Sequence, residues 1–320
     1  MTSVHLLPGT NRCVQCGDTV DEVLCDTCRS QRNGIFSIAY RRLPQNSLLY
    51  LFSIIKSRLF LGLLLFAIVP ILLGDLHLNV VDGMMVYFSL FWFFIFQPIM
   101  TAQMAMPFRS IVLDIAAYVF TGIVGVLFAL AVESFWIGHG ANLLLNSSYL
   151  LISAPAYIIF IGLTEEFAKQ IFVLLLFTVN RVQKKVWNPL VYMMIGISSG
   201  LGFSAVENIS YVEHGITFDV LHKTIGLGTI TALTRALYTP FLHAIWAGIV
   251  AYGLGIVAHR GYRDWHLAVG AFLLAAMFHG FYDASLRAHG GLSVLDVALS
   301  YLVFLSLLLN NRRQRSSLVD

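Results

Sequence analysis

Two adjacent carboxylates and a lysine, Glu165-Glu166-x-x-Lys169, interrupt strongly apolar runs of the sequence. On a helix turning about 100° per residue, Lys169 projects about 40° round from Glu165 and about 60° back from Glu166, so its ammonium falls between the two acids. A charged residue near the centre of a membrane helix costs about 2.5 to 3.5 kcal/mol on insertion scales, so the group needs a compensating role. That role is either a buried ion pair that fixes helix packing or acid–base chemistry. Further along stand Glu207 with Asn208, then Arg235, then His243, then His279 with Asp283, all inside apolar runs. Glu165, Glu166, Glu207 and Asp283 against Lys169 and Arg235 leave a formal net charge of minus two with the histidines neutral. The excess is offset either by a carboxyl that keeps its proton, as a general acid or base would, or by a divalent cation among His243, His279 and a carboxylate. His279 and Asp283 are spaced i to i+4, so the aspartate is able to orient the ring or share a metal.

A second group lies far from the first. Cys13-x-x-Cys16-Gly17 and Cys25-x-x-Cys28 hold all 4 cysteines of the chain, and this spacing suits tetrahedral zinc. A pair of disulfides is the competing arrangement. A cytoplasmic location would favour zinc, because thiols stay reduced there. So small a knuckle folds on its metal and serves more often to dock a partner than to do chemistry.

The elements that must position the polar group are set by composition. With 320 residues, 58% hydrophobic, 12% charged and a mean hydropathy of +0.78, the chain is too apolar for a soluble domain. The predicted fold class is all-α, a polytopic membrane protein of about eight transmembrane helices behind a small N-terminal zinc-binding knuckle. The apolar runs are Leu59 to Leu73, Met84 to Met100, Ile111 to Val132, Ala156 to Thr178, Pro189 to Val212, Ile225 to Ala258, Leu267 to Leu286 and Ser293 to Leu309. Pro240 predicts a kink or a re-entrant first half in the long sixth run. Leu143 to Ser153 reads as a helix extension or a re-entrant piece, and Asp114 as a solvated residue near a helix end. The stripe Gly196-x-x-x-Gly200, with Gly202, Gly248 and Gly253, predicts close helix packing. No cleavable signal peptide is expected.

Taken as residues 1–33 (zinc-ribbon-like module), 34–58 (basic linker), 59–135 (first helices), 136–311 (polar core) and 312–320 (basic tail), the chain alternates sides. Of its 20 lysines and arginines, sixteen then lie with the N-terminus and only Lys223 and Arg287 opposite. The positive-inside rule puts both termini in the cytoplasm. Counting along each helix from that side places Glu166, Glu207, His243 and His279 at depths of roughly 20 to 27 Å, in the outer half of the bilayer core. Four consecutive helices of alternating direction thus bring their polar groups to one level, which reads as a single site opening outward. The basic residues gather at segment ends, so nucleic acid is not an expected partner.

Glu165-Glu166-x-x-Lys169, Phe203-x-x-x-Glu207-Asn208, Arg235 with Pro240-x-x-His243, and His279-x-x-x-Asp283 resemble, in this order, the motifs of the PrsW-type intramembrane proteases. The resemblance covers about Ala156 to Arg287. It implies an endopeptidase of the bacterial cytoplasmic membrane that cuts a membrane-anchored protein, such as an anti-sigma factor, near the extracytoplasmic side. Wider relatives are CAAX endopeptidases and bacteriocin-processing or immunity proteins, which prefer an arginine and a histidine where Lys169 and Glu207 stand here. In the mechanism these residues suggest, Glu166 activates water and Glu165 holds or relays the proton. His243 and His279 bind a second zinc or polarise the carbonyl, Asn208 donates to the oxyanion, Lys169 and Arg235 fix the carboxylates, and Asp283 orients His279. The N-terminal module is expected to engage a cytoplasmic protein partner. A non-catalytic membrane scaffold and a proton-coupled transporter are the competing functions; the paired glutamates favour the enzyme, and no inverted repeat supports the transporter.

Overall fold

The computed structural model describes residues 80–104, 109–185, 187–223, 230–231, 234–236, 238–287 and 291–316, and among them the regular structure is helical with no strand. The four cysteines, the basic linker and the run Leu59 to Leu73 lie outside the described residues. The remaining predicted runs are each helical, although in Ile225 to Ala258 the continuous helix starts only at Thr239, the first part of the run lying partly outside the described residues. Helix α1 is Val80–Met104. Helix α2 (Arg109–Phe120) passes through a π-turn (Thr121–Gly125) into α3 (Val126–Gly138). A short α4 (Ala141–Leu145) leads to α5 (Leu150–Ala156), which continues through a second π-turn (Tyr157–Gly162) into α6 (Leu163–Val182). Then follow α7 (Pro189–His222), α8 (Thr239–Arg260), α9 (Trp265–Arg287) and α10 (Gly291–Ser316).

Local sequence explains the boundaries. The Asn188 side chain accepts from the Leu190 amide at 2.9 Å, Pro189 supplies the first turn of α7, and Lys223 ends that helix in the left-handed region. Gly261, at φ 103°, stops α8. Helix α8 begins at Thr239, so the missing amide of Pro240 falls in its first turn, where no partner is required, and helical residues 230–231 and 234–236 stand before it; the first half of the run, predicted to be kinked or re-entrant, lies partly outside the described residues. Leu143 to Ser153 is divided between α4 and α5, the latter being the extension that runs on into α6.

Among the described residues, five helices are long and apolar enough to cross a membrane: Ile111–Gly138, Pro189–His222, Thr234–Arg260, Trp265–Arg287 and Gly291–Leu308. Helix α7 stands at the centre, 89% buried over its most apolar window against 28% for α10. It packs most extensively on α8, and α1, α2 and α6 also lie against it. A helix apolar all round is what such a position requires. Asp114, predicted to be solvated, is fully buried on the face of the α2 rod that Ala117 and Thr121 share. Helix α2 begins at Arg109, so Asp114 stands in its second turn, near the helix end as predicted but packed inside rather than solvated.

Glycines set the closest approaches. A Cβ added at Gly196 or Gly200 would strike the Ala247 or His243 backbone of α8, and one at Gly202 the Tyr118 carbonyl of α2. Gly162 and Gly280 do the same reciprocally, meeting the backbone at Ala276 and Ile158. Backbone cannot yield as a side-chain tip does, so these contacts lock α6 to α9 and α7 to α8. Gly162→Ala should therefore lower stability by about 1 to 3 kcal/mol. Gly270→Ala, whose new methyl meets open space, should be neutral or stabilise by up to about 1 kcal/mol. Thermal unfolding of the two variants in the same detergent checks the pair; equal midpoints would refute the packing argument.

Candidate active site between helices α6, α7, α8 and α9

The glycine contacts fall one helical turn from the polar residues. Gly162 touches α9 at Ala276, three residues before Glu165 on one side and three before His279 on the other. The Glu165 and Glu166 carboxylates and the His279 ring are thereby brought face to face. On the other pair, Gly200 lies against the His243 carbonyl, and one and two turns later come Phe203, which stacks on the His243 ring, and Glu207.

The result is two chains of cation, carboxylate and histidine. In the first, Lys169 Nζ donates to Glu166 Oε1 at 2.7 Å, and His279 Nδ1 stands 2.9 Å from the same oxygen. Since an ionised carboxylate only accepts, Nδ1 carries the hydrogen, and in the neutral ring that leaves Nε2 with its lone pair. In the second, Arg235 Nη1 donates to Glu207 Oε1 at 3.0 Å, and Glu207 Oε2 lies 3.1 Å from His243 Nε2, though not aligned as a hydrogen bond. The two rings meet edge to face with centroids 5.1 Å apart. Glu165 lies beside the first chain, with Oε2 3.5 Å from both Lys169 Nζ and His279 Nε2.

The supports are equally defined. Lys169 sits over the Phe203 ring at 4.7 Å and has no exposed surface. Its backbone carbonyl accepts from Ser199, whose hydroxyl shares a 2.6 Å hydrogen bond with Thr121 in the first π-turn. The Arg235 guanidinium lies 3.4 Å from the centroid of the Tyr211 ring. Gln170 donates to the Ala247 carbonyl at 3.2 Å, tying α6 to α8.

All the predicted membrane residues converge here, with two differences in detail. Asn208 spends its amide hydrogens on Ser204 Oγ at 2.8 Å and the Arg235 carbonyl at 2.9 Å, while its oxygen accepts from Arg235 at 3.3 Å. Its bonds thus go to Arg235, and no amide hydrogen is left for an oxyanion. Asp283 Oδ2 is 3.6 Å from His279 Nε2, whereas Glu166 is within hydrogen-bond distance of the ring, so Glu166 is the nearer orienting group. Sequence reasoning missed Glu133 on α3, which lies within electrostatic reach of Glu165, Glu207, Asp283 and Lys169. It stands one residue beyond the predicted run Ile111 to Val132, and only the extension of α3 brings it in. Trp246, stacked on His279 at 4.9 Å, was also missed; a tryptophan three residues after His243 was the available signal.

The donor set fits a metal. Ligand atoms of Glu165, His243 and His279 lie within 4.8 Å of one another, all buried. A tetrahedral zinc with donors at about 2.0 to 2.2 Å sets them about 3.4 Å apart, so small side-chain rotations close the set. Glu165 Oε2 and His243 Nδ1 are both buried without a hydrogen-bond partner among the described residues, so each keeps a lone pair that a cation would satisfy.

Comparison with known proteins agrees with the geometry. Protease PrsW of Oceanobacillus iheyensis is 26% identical over 161 residues, which is 50% of this chain and 67% of that protein. No solved structure matches. Residues 109–309, which include every site residue described above, match the PrsW family of intramembrane metalloproteases, and the chain belongs to that family.

Proposed function

We propose that this intramembrane metalloprotease cleaves a membrane-anchored protein near the extracytoplasmic side, in the manner of anti-sigma-factor proteolysis, with the residues between α6 and α9 as its active site. The observation that carries the reading is the convergence of Glu165, His243 and His279 beside a carboxylate already engaged with Lys169 and His279. Glu165, His243 and His279 would hold the metal. A zinc ion so held supplies an acidified water and a polarised carbonyl.

The protein's own groups do the rest. Glu166 Oε1 is held by Lys169 and His279, while Oε2 is buried with no hydrogen-bond partner among the described residues and is free to take the proton of the attacking water. The same carboxyl then returns that proton to the leaving amine. Lys169 keeps the carboxylate in place through both steps, and its contact with Phe203 excludes solvent from the ammonium. Glu207, anchored by Arg235, faces His243; Asn208 in turn holds Arg235. The partly exposed members, Glu207 and Asp283, mark the side from which the peptide and water reach the buried groups.

The sixteen-to-two partition of basic residues supports an orientation with both termini in the cytoplasm. Cys13, Cys16, Cys25 and Cys28 are proposed to bind a structural zinc there and to dock a cytoplasmic partner. The domain division 1–33, 34–58, 59–135, 136–311 and 312–320 is part of the same proposal.

Glu166→Gln should retain the metal and the fold but lose proteolysis by about 100- to 10,000-fold. Sequencing new protein N-termini in membranes from cells expressing wild type or this variant checks it, because fragments that depend on Glu166 identify substrates. Equal fragment yields would sink the assignment of the base.

Mass spectrometry of purified protein tests the metal. Two equivalents of zinc are expected, one lost when all four cysteines become serine and the other lost in His243→Ala, His279→Ala or Glu165→Gln. A single equivalent lost only with the cysteines would rule out the membrane metal site.

A further inference from the structure

We propose that Trp246, held by Ser300 of the last helix, is a positioning residue for His279, so that α10 is a working part of the active site. This rests on the reading of His279 given above. The Trp246 indole lies stacked over the His279 ring, with centroids 4.9 Å apart and planes 23° from parallel. It also meets the ring of His243 at 5.9 Å and that of Tyr282 at 5.9 Å. One aromatic plane therefore contacts both histidines, whereas Glu166 fixes only the in-plane direction of the His279 Nδ1–H bond. Rotation of the imidazole about that bond is stopped by the indole face.

The indole itself needs fixing. Its side chain is almost fully buried and carries one hydrogen-bond donor, Nε1–H, which is costly to leave unmade in an apolar interior. The donor goes to Ser300 Oγ at 2.9 Å. Ser300 has no exposed surface and sits on α10, in an otherwise apolar stretch, so its hydroxyl has little reason to be there except to receive this bond. Helix α10 packs on α8 and α9, and its buried Asp296 lies within electrostatic reach of Asp283 without touching either site histidine among the contacts described. Ser300 to Trp246 to His279 is its connection to the histidines.

The test reads the ring rather than activity alone. In full-length protein labelled with ¹⁵N-histidine in detergent, the His279 ring signals are assigned by their loss in His279→Gln. Ser300→Ala leaves the indole in place but removes its acceptor, and should shift the His279 signals while leaving those of the remote His139 and His222 unmoved. Ser300→Thr, which keeps the hydroxyl, should restore them. Trp246→Phe keeps a stacking face without the donor and should reproduce the Ser300→Ala shift, and the double variant should add nothing further. The yield of Glu166-dependent fragments should fall by about 10- to 100-fold in Ser300→Ala, with the unfolding temperature lowered by only the few degrees that one unmade buried hydrogen bond costs. Unchanged His279 signals in both single variants would overturn the proposal, as would shifts spread over all histidines with a larger fall in unfolding temperature. A Glu166→Gln enzyme that still cleaved would instead sink the mechanism above and leave the positioning of His279 standing.

Discussion

A lysine ammonium with no exposed surface, in the middle of a membrane helix bundle, is the constraint from which the rest follows. Lys169 is wholly buried and has Glu166 at 2.7 Å and Glu165 at 3.5 Å. Separating either charge from the other in this medium would leave an ion that neither lipid nor apolar side chains can solvate, so the ammonium and the carboxylates must be buried together. A buried pair with a hydrophobic replacement of equal volume is often no less stable, so packing alone does not account for it. What the pair does provide is a carboxylate fixed in place by an ammonium where water is scarce.

Holding it there demands close backbone contact. Two helices with ordinary side chains between them sit 8 to 10 Å apart on their axes as a rule, and the short reach of an imidazole to a carboxylate favours the tighter spacing. The glycine contacts at Gly162, Gly200 and Gly280 supply it, each within about one turn of a site residue. The two π-turns belong to the same arrangement. One ends immediately before α6 and shifts the register of Glu165 and Glu166 toward α9; the other presents Thr121 to Ser199, which caps the carbonyl of Lys169. Interruptions of α-helical geometry of this kind concentrate at functional sites because they re-aim side chains without ending the helix.

Most of the site was legible in the sequence because apolar context makes ionisable residues conspicuous. Glu165, Glu166, Lys169, Glu207, Arg235, His243, His279 and Asp283 were each visible as a polar residue in an apolar run, and equal depth on alternating helices was enough to group them. Partnership was harder to read. The i to i+4 spacing pointed Asp283 at His279, but the nearer carboxylate is Glu166 from another helix, since tertiary approach through Gly162 outweighs sequence proximity. Asn208 looked like a donor for substrate until Ser204 and Arg235 were seen to occupy its hydrogens. Ser300 gave no signal, because a serine in a membrane helix is an ordinary residue, and Trp246 offered only its place three residues after His243; the stack on His279 is what distinguishes them. Pro240 marks a kink or a re-entrant first half in the sequence, and composition alone does not place the start of α8 at Thr239.

Charge compensation narrows where a cation belongs. The structure adds Glu133 to the four carboxylates counted from the sequence, while the cations at the centre remain Lys169 and Arg235. Both cations are already engaged at hydrogen-bond distance, Lys169 with Glu166 and Arg235 with Glu207. Glu166 and Glu207 are therefore compensated, and each faces a histidine. Glu165 is different: its nearest positive group is 3.5 Å away and bonded to its neighbour, and its Oε2 has no hydrogen-bond partner among the described residues. It is also the carboxylate whose ligand atom converges with those of His243 and His279. The place where positive charge is missing is thus the place where the donors proposed for the metal, Glu165, His243 and His279, converge, and the two cation-carboxylate-histidine chains hold those groups there.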